Sequence, residues 1–276
     1  MTSGGGAAQI EAELHESYEI VGGAATAGLL LLCDHASNAL PDEYGTLGLP
    51  ASELERHIAY DIGAADMTRH LAKALGVPAV LTRFSRLLID PNRGEDDPTL
   101  IMRLSDGAII PGNRHLDAAE REKRIARFYR PYHDAIRRTI FRCAAGGRMP
   151  ALLGMHSFTD VWKGTPRPWH AGVLWEHDER LAMPLLAALR AEADLVVGEN
   201  EPYPGQYEGD TLWQHGTMPG RAFAAIEVRQ DLIRDADGQQ AWGERLARIL
   251  SRILGRPGMV ERFAMRSGRQ CAGPVT

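Results

Sequence analysis

The apolar stretch GLLLLC at residues 28–33, with the polar stretch DHASN at residues 34–38 directly behind it, decides the fold of this chain. A continuous apolar run of this length is typical of a strand that is buried on both faces of a parallel sheet. Two later segments repeat the pattern. ALLGM at residues 151–155 runs into HSF, and AFAAIEV at residues 222–228 carries a single acid among apolar residues. The sequence therefore predicts buried strands with polar side chains at or near their ends.

Strand-like and helix-like segments alternate along the middle of the chain. The strand-like segments are residues 28–33, 78–82, 87–89, 151–155, 172–175, 195–197 and 222–228, and the helix-like segments are residues 62–75, 118–143, 180–191 and 239–254. Such alternation predicts a three-layer α/β/α fold with a mixed, largely parallel sheet. In sheets of this kind, ligands bind beyond the carboxyl ends of the strands.

The two ends of the chain differ from its middle. Residues 1–8 are rich in glycine, and residues 265–276 lack an apolar pattern. Between them we find no long linker, internal repeat or low-complexity block. We therefore expect flexible tails at residues 1–8 and 265–276, and a single catalytic α/β domain over residues 9–264.

The composition argues against several classes of function. With 36 acidic against 31 basic residues, the formal net charge is -5, whereas nucleic-acid-binding proteins usually carry a basic face. The sequence shows no signal peptide and no apolar run long enough for a membrane span. It also lacks a P-loop and a G-x-S-x-G elbow. The 3 cysteines are unpaired by spacing, so we expect a cytoplasmic protein without nucleic-acid or membrane partners.

Three residues near the predicted strand ends carry candidate chemistry. They are His35, His156 and Glu227. Two neutral imidazoles are good zinc ligands, and a nearby carboxylate can act as a general base on water. A lone histidine after a strand also commonly serves a structural role, and Glu227 can form a salt bridge with Arg229, which projects to the same side of the strand. Both interpretations stay open at this point.

Seven motifs then point to a known family. They are DHASN (34–38), HIAYDIGA (57–64), SRLLIDPNR (85–93), HSFTD (156–160), RPWHAGVLW (167–175), NEPY (200–203) and IEVRQDL (226–232). In this order the motifs resemble the N-formylglutamate amidohydrolase family, over residues 29–254. The family is more distantly similar to zinc carboxypeptidases and aspartoacylase-like deacylases, which implies a phosphorylase/hydrolase-like fold.

The resemblance implies a single zinc ion and a set of ligands. His35 and His156 match the histidine ligands of the zinc carboxypeptidases, and Glu227 matches their catalytic glutamate. Asn38 stands where those enzymes have a ligand glutamate. Because an amide oxygen is an uncharged ligand, three residues stay open as the third ligand: Asn38, Asp61 and Asp34. The structural alternative for Asp61 is an N-cap. The alternative for Asp34 is to orient a ligand histidine from the outer shell.

The resemblance also implies a set of anion-binding residues. Asn92 and Arg93 match the pair that binds the substrate carboxylate in zinc carboxypeptidases. Arg167 and Arg229 lie in family-like motifs and are candidates for the same role, because a guanidinium can hold a carboxylate with two parallel hydrogen bonds. Arg86 is the candidate for stabilising the oxyanion. Ordinary structural pairing is the alternative for each arginine.

The resemblance implies a zinc-dependent amidohydrolase that cleaves N-formyl-L-glutamate, or a similar small anionic N-acyl amino acid, to formate and glutamate. One alternative is a deacylase or amidase for another N-acyl amino acid or peptide. Another is a non-catalytic protein that binds acyl amino acids as a sensor. The sequence leaves the oligomeric state open.

Overall fold

The computed structural model describes residues 9–205 and 207–263. The tails expected at residues 1–8 and 265–276 lie outside the described residues, as does Cys271. Cys33 and Cys143 are buried free thiols. No helix of the described residues is long and apolar enough to cross a membrane.

Eight strands form one mixed sheet. In chain order they are β1 (Glu13–Leu14), β2 (Tyr18–Val21), β3 (Leu29–Cys33), β4 (Ala79–Thr82), β5 (Ala151–Phe158), β6 (Ala171–Leu174), β7 (Val197–Glu199) and β8 (Phe223–Arg229). Their order across the sheet is β7-β6-β8-β5-β3-β4-β2-β1. The pairs β7/β6, β8/β5, β5/β3 and β3/β4 are parallel, and the other three pairs are antiparallel.

Helices cover both faces of this sheet. They are α1 (Ala64–Leu75), α2 (Ala118–Arg124), α3 (Arg130–Ala145), α4 (Glu179–Arg190), α5 (Ala236–Leu254) and the short α6 (Met259–Arg262). In β3, Leu29 and Leu31 pack with α1, α4 and α5, whereas Leu30 and Leu32 pack with α3 on the opposite face. The strand is apolar throughout because both of its faces are buried, and the predicted three-layer α/β/α fold is confirmed.

Short elements complete the described residues. They are the 3-10 turns Asp42–Tyr44, Ala51–Glu55, Pro111–Asn113 and Gln230–Leu232, the π turns Ile125–Tyr129 and Trp213–Thr217, and the two-residue strand pairs Gln9–Ile10 with Gly23–Ala24, Leu104–Ser105 with Ala108–Ile109, and Val161–Trp162 with Thr165–Pro166. The first π turn joins α2 to α3 just before Pro131, which lacks a backbone N–H. The chain stays helical there, so the helix predicted over residues 118–143 changes only its local helix type before Pro131.

The strand predicted at residues 87–89 is wrong. These residues form a turn and an irregular segment, although Leu87, Leu88 and the residue after them are fully buried. Their apolar side chains pack in a third cluster beside the sheet. Side chains rather than a neighbouring strand satisfy the backbone, since Asn113 donates to the Leu87 carbonyl and Arg124 to the Leu88 carbonyl. Burial alone made this segment resemble a strand.

Two central strands extend beyond their predicted ends. β5 continues to Phe158 and β8 to Arg229. His156 and Glu227 therefore lie inside strands, directly opposite each other in the parallel β5/β8 register. Both side chains project towards the α3 face, because residues two positions apart in a strand share a face and Leu152 and Ala225 pack there.

Candidate active site

A cavity of about 240 Å³ lies at the carboxyl ends of the central strands. Polar side chains from six separate segments of the chain line it. They include His35, Asp61, Arg86, Asn92, Arg93, His156, Tyr203 and Glu227. Leu174, Leu212 and Ala225 supply apolar wall. A concave site with a few convergent polar groups is the usual form of a small-molecule site.

His35, Asp61 and His156 converge at the inner end of this cavity. Asp61 Oδ2 lies 3.5 Å from His35 Nδ1 and 3.0 Å from His156 Nδ1. All three residues are buried, and their candidate ligand atoms lie within 4.8 Å of one another. The strand-end residues His35 and His156 are thus brought together, and Asp61 joins them as the nearest carboxylate.

Local structure places each member of this cluster. His35 directly follows Asp34 at the end of β3. The Asp61 backbone N–H donates to the His35 carbonyl at 2.9 Å, which ties the loop before α1 to that strand end. The loop then turns at Gly63 with φ +79, where an added Cβ would lie 2.0 Å from the Ile233 carbonyl oxygen. A residue with a side chain does not fit this turn.

A second carboxylate lies behind each imidazole. His35 Nε2 lies 2.8 Å from Asp90 Oδ1, and His156 Nε2 lies 3.6 Å from Asp34 Oδ2. An ionised carboxylate only accepts hydrogen bonds, so Asp90 favours a proton on His35 Nε2, whereas the 3.6 Å between Asp34 and His156 is longer than a hydrogen bond. His156 Nδ1 is instead hydrogen-bonded to Asp61 Oδ2 at 3.0 Å, so a cation bound between them would replace the proton on Nδ1.

The charges in the cluster favour a bound cation. Burial alone would raise the pKa of Asp61, but the two imidazoles hold it well below its usual range. Burial lowers the pKa of His156, yet its hydrogen bond to Asp61 and the charge of that carboxylate raise it to about 9. The pKa of His35 is also raised, because nearby carboxylates outweigh burial and the Arg86 charge. A metal ion competes with protons for such groups, so the cluster is a candidate cation site.

The donor set fits zinc. Zinc takes imidazole nitrogen and carboxylate oxygen at about 2.0–2.2 Å, so two ligand atoms of a tetrahedral ion lie about 3.4 Å apart. The separations from Asp61 Oδ2 to the two Nδ1 atoms, 3.5 and 3.0 Å, match this spacing. Three protein ligands leave a fourth position open, as in catalytic zinc sites.

Glu227 lies beside this cluster and is 6% exposed. Within residues 9–205 and 207–263, its Oε2 atom has no hydrogen-bond partner. Burial raises the pKa of Glu227 to about 7, partly offset by the charge of His156. A buried carboxylate without a partner is costly for folding, and a carboxyl group with this pKa is suited to move protons near neutral pH.

Arg86 spans the outer side of the cluster. Its Nη2 donates to Asp90 Oδ2 at 2.7 Å, and its Nη1 lies 3.2 Å from His35 Nδ1. Arg86 lines the cavity, so it presents positive charge to a group bound there.

Asn92 and Arg93 form a turn at another wall of the cavity. Asn92 Oδ1 accepts from the Thr211 backbone N–H at 3.0 Å, and Arg93 Nη1 donates to the Asn92 carbonyl at 2.7 Å. The Arg93 guanidinium also lies 5.5 Å from the centre of the Tyr207 ring. No carboxylate of the described residues forms an ion pair with Arg93, so its charge is available to an anion.

Three other predicted site residues lie elsewhere and do not line the cavity. The Asn38 amide donates to the Leu54 carbonyl at 2.9 Å, which corrects its assignment as a metal ligand. Arg229 does project to the same side as Glu227, but it pairs with Asp231 at 2.7 Å, and this corrects its assignment to substrate. Arg167 stacks against aromatic rings and donates to the Tyr203 hydroxyl at 3.2 Å. It therefore contacts a residue that lines the cavity without lining the cavity itself.

Sequence reasoning missed one contributor, Asp90. It follows the apolar run LLI, and the rule that polar residues after apolar runs carry chemistry would have selected it. For Asp34 the sequence leaves a ligand role and an outer-shell role open, and the structure places it behind His156. No pattern along the chain indicates which imidazole a carboxylate faces, because that depends on how β3 and β5 pair.

The fold and the site together define an α/β protein of the hydrolase type, with a buried His-Asp-His cluster and an adjacent carboxylate at the strand ends. The chain belongs to the N-formylglutamate amidohydrolase family, whose family model matches residues 27–234. The resemblance seen in the sequence is thereby confirmed, and the family is one of hydrolases that act on amide bonds.

Solved structures share this fold. A gene product of Agrobacterium tumefaciens is 36% identical, with a TM-score of 0.80 over 86% of this chain and 94% of that chain. The N-formylglutamate amidohydrolase of Ralstonia eutropha JMP134 is 20% identical, with a TM-score of 0.65 over 90% of this chain and 99% of that chain, and shares the fold. No curated protein matches the chain.

Proposed function

We propose that this protein is a zinc-dependent amidohydrolase that cleaves N-formyl-L-glutamate, or a closely similar N-acyl acidic amino acid, to the free acid and the amino acid. The observation that carries the proposal is the unpartnered Glu227 carboxylate beside the convergent donors of His35, Asp61 and His156. Family membership supports the amide chemistry.

His35, His156 and Asp61 are the proposed ligands. With Asp61 in this role, the ligand set contains a carboxylate, and Asn38 is not needed. A zinc ion held there supplies a Lewis acid for the acyl carbonyl and a more acidic water. Asp90 accepts from His35 Nε2 at 2.8 Å and would keep the Nδ1 atom of that ring aimed at the ion, and Asp34 faces His156 Nε2 at 3.6 Å.

Glu227 is the proposed general base and acid. Its carboxylate takes a proton from the attacking water as the water oxygen bonds to the formyl carbon. The protonated carboxyl then delivers this proton to the amide nitrogen as the C–N bond breaks. Formate and the free amine result, with no external oxidant or reductant. The pKa of about 7 matches a group that must change its protonation state twice per turnover.

Arg86 and Arg93 are the proposed partners of the negative charges on the substrate. Arg86, held by Asp90, stabilises the negative charge that develops on the carbonyl oxygen. Arg93, which has no ion-pair partner among the described residues, binds a substrate carboxylate, with Asn92 fixing the turn. A small anionic substrate therefore suits this cavity better than a neutral one.

The rival functions are weaker on the same observations. An uncharged amide at the third ligand position would favour a non-catalytic sensor, and the Asp61 carboxylate beside His35 and His156 removes that reason. A general deacylase is separated by substrate charge, because an acyl amino acid with an uncharged side chain offers Arg93 only its α-carboxylate, whereas N-formylglutamate carries two carboxylates. We also propose a cytoplasmic location, since the buried thiols of Cys33 and Cys143 suit a reducing compartment.

A substrate panel tests this function. Purified protein with zinc is assayed on N-formylglutamate, N-acetylglutamate, N-succinylglutamate and N-formylleucine. We expect the highest kcat/KM on N-formylglutamate, with a loss of at least about tenfold on N-formylleucine because one charge-assisted hydrogen bond is missing. Equal or better hydrolysis of N-formylleucine, which carries only the α-carboxylate, would favour the general deacylase.

A further inference from the structure

Three buried aromatic side chains share one face of the helix behind the active site. Tyr129 ends the π turn before α3, and Tyr132 and His133 follow three and four residues later, so all three point the same way. They are 3%, 0% and 1% exposed. None of them lines the active-site cavity. Tyr129 and His133 hydrogen-bond the segment that carries Arg93, and Tyr132 hydrogen-bonds Asp34, which faces His156.

Tyr129 and His133 hold the turn that carries Arg93. The Tyr129 hydroxyl donates to the Arg93 carbonyl at 2.8 Å, and His133 Nε2 donates to the Pro91 carbonyl at 3.0 Å. Gln214 donates to the Tyr129 oxygen at 2.9 Å, which directs the hydroxyl proton towards Arg93. The backbone on both sides of Asn92 is therefore fixed from α3.

The proton arrangement on His133 is determined by its partners. A carbonyl only accepts, so Nε2 must carry the proton in the bond to Pro91. His133 Nδ1 then accepts from His215 Nε2 at 2.9 Å. Burial keeps the pKa of His133 low, at about 4, so the ring is neutral and this single arrangement persists at neutral pH.

Tyr132 acts on the other half of the site. Its hydroxyl donates to Asp34 Oδ1 at 2.6 Å, and the Thr211 hydroxyl donates to the same oxygen at 2.9 Å. Both bonds leave Asp34 Oδ2 facing His156 Nε2 at 3.6 Å. Tyr132 thus fixes the carboxylate that faces a proposed zinc ligand at ion-pair distance.

We propose that this helix face positions the two halves of the active site separately. Tyr129 is a positioning residue for the substrate anchor Arg93, and Tyr132 is a positioning residue for the zinc ligand His156. The proposal rests on the proposed function for the roles of Arg93 and His156. A side chain on a packed helix holds such groups more rigidly than a loop does.

Two variants that each remove one oxygen atom test the separation. Tyr129→Phe should raise KM for N-formylglutamate about 3- to 10-fold, as expected for one hydrogen bond, and leave the zinc dissociation constant and kcat within about twofold. Tyr132→Phe should raise the zinc dissociation constant about 3- to 10-fold, near the lower end for outer-shell losses, and leave KM at saturating zinc within about twofold. Tyr18→Phe in β2 is the matched control, since it also loses a hydrogen-bonded hydroxyl away from the cavity.

Zinc affinity is measured by competition with a chromogenic chelator, and KM by formate release. The proposal is supported if Tyr129→Phe raises only KM and Tyr132→Phe raises only the zinc dissociation constant. Equal effects of Tyr129→Phe and Tyr132→Phe on both constants, or values equal to those of Tyr18→Phe, would overturn it. Wild-type protein without activity on N-formylglutamate would end the proposed function instead. The zinc constants would then decide the inference: weakening by Tyr132→Phe alone supports it, and any other pattern rejects it.

Discussion

At the scale of single residues, the active site combines groups that folding alone would not favour. Glu227 has a buried oxygen without a partner among the described residues, and Asp34 has another. Two imidazoles face a shared carboxylate, Asp61, with further acids behind them. Such a concentration of buried charge costs stability unless a cation balances it, which is the physical argument for the proposed metal.

Replacing Glu227 with glutamine tests the proposed base. The amide matches the carboxylate in shape but cannot take a proton from water. Glu227→Gln should lower kcat by about 10²- to 10⁴-fold and keep zinc binding, because Glu227 is not a proposed ligand. Kinetics and metal content are measured on the same sample. A variant with wild-type kcat would exclude Glu227 as the base.

The third ligand is tested by a matched pair of variants. Asp61→Asn should weaken zinc binding by more than about 100-fold, since it removes the only charged ligand and exceeds a typical outer-shell loss. Asn38→Ala should leave zinc affinity unchanged, because the Asn38 amide bonds the Leu54 carbonyl. Isothermal titration of metal-free protein gives both constants. The opposite ranking would restore Asn38 as the ligand.

The role of Arg93 is tested through substrate charge. Arg93→Ala should raise KM for N-formylglutamate by about 10- to 100-fold, the loss of a charge-assisted hydrogen bond. An uncharged N-formylamine should be hydrolysed equally by both proteins. If the variant loses the same factor on both substrates, Arg93 supports the fold of the site rather than binding an anion.

At the scale of elements, α1 depends on a glycine at each end. Gly63 precedes the helix with φ +79, and Gly76 ends it with φ +64. Both values lie in the left-handed region, which costs other residues about 1–2 kcal/mol. Only Gly63 is also crowded, since its Cβ would lie 2.0 Å from the Ile233 carbonyl, whereas nothing lies within 4 Å at Gly76.

The two glycines therefore give a prediction on stability. Gly76→Ala should lower the free energy of unfolding by about 1 kcal/mol. Gly63→Ala should lower it by about 3 kcal/mol or more, because overpacking adds to the backbone strain, and should weaken metal binding by moving Asp61. Urea unfolding measures both variants. Equal losses would show that the contact with Ile233 relaxes freely.

At the scale of the whole molecule, the sheet order brings distant segments to one point. β3, β5 and β8 are neighbours, so side chains at positions 35, 156 and 227 meet although long stretches of chain separate them. The buried network of His133 and His215 then joins α3 to the loops above the sheet. That network gives the fold a dependence on pH.

Protonation of His133 should destabilise the fold in mild acid. Burial lowers its pKa to about 4, below the unfolded value near 6.5. As the pH falls, the unfolded chain takes up the proton first, so stability present above about pH 6.5 is lost down to about pH 4. The loss between about pH 7.5 and 5 should be about 2 kcal/mol from His133 alone.

Urea unfolding of wild type and His133→Gln at these two pH values isolates this contribution. Carboxylates titrate in both proteins, so the difference between their pH dependences belongs mainly to His133. We expect a smaller loss of stability in the variant. An identical pH dependence in the two proteins would mean that His133 has the same pKa in the folded and unfolded states.

Much of this arrangement is predictable from the sequence. The apolar runs of β3, β5 and β8 indicate the sheet, and the polar residues at their ends indicate His35, His156 and Glu227. The predicted roles of Asn38 and Arg229 are wrong, because a sequence pattern predicts the face on which a side chain lies but not the group that it contacts. Asn38 hydrogen-bonds the Leu54 carbonyl, and Arg229 forms an ion pair with Asp231. Such contacts depend on the packing of loops, which the sequence pattern does not predict.

The most direct test of the central claim is a zinc titration of metal-free protein during hydrolysis of N-formylglutamate. The account predicts negligible activity without metal and a rise to a plateau at about one zinc per chain. The same titration of Asp61→Asn should show little activity over this range. Full activity in metal-free protein, or a plateau unaffected by loss of Asp61, would contradict the proposed centre of His35, Asp61 and His156.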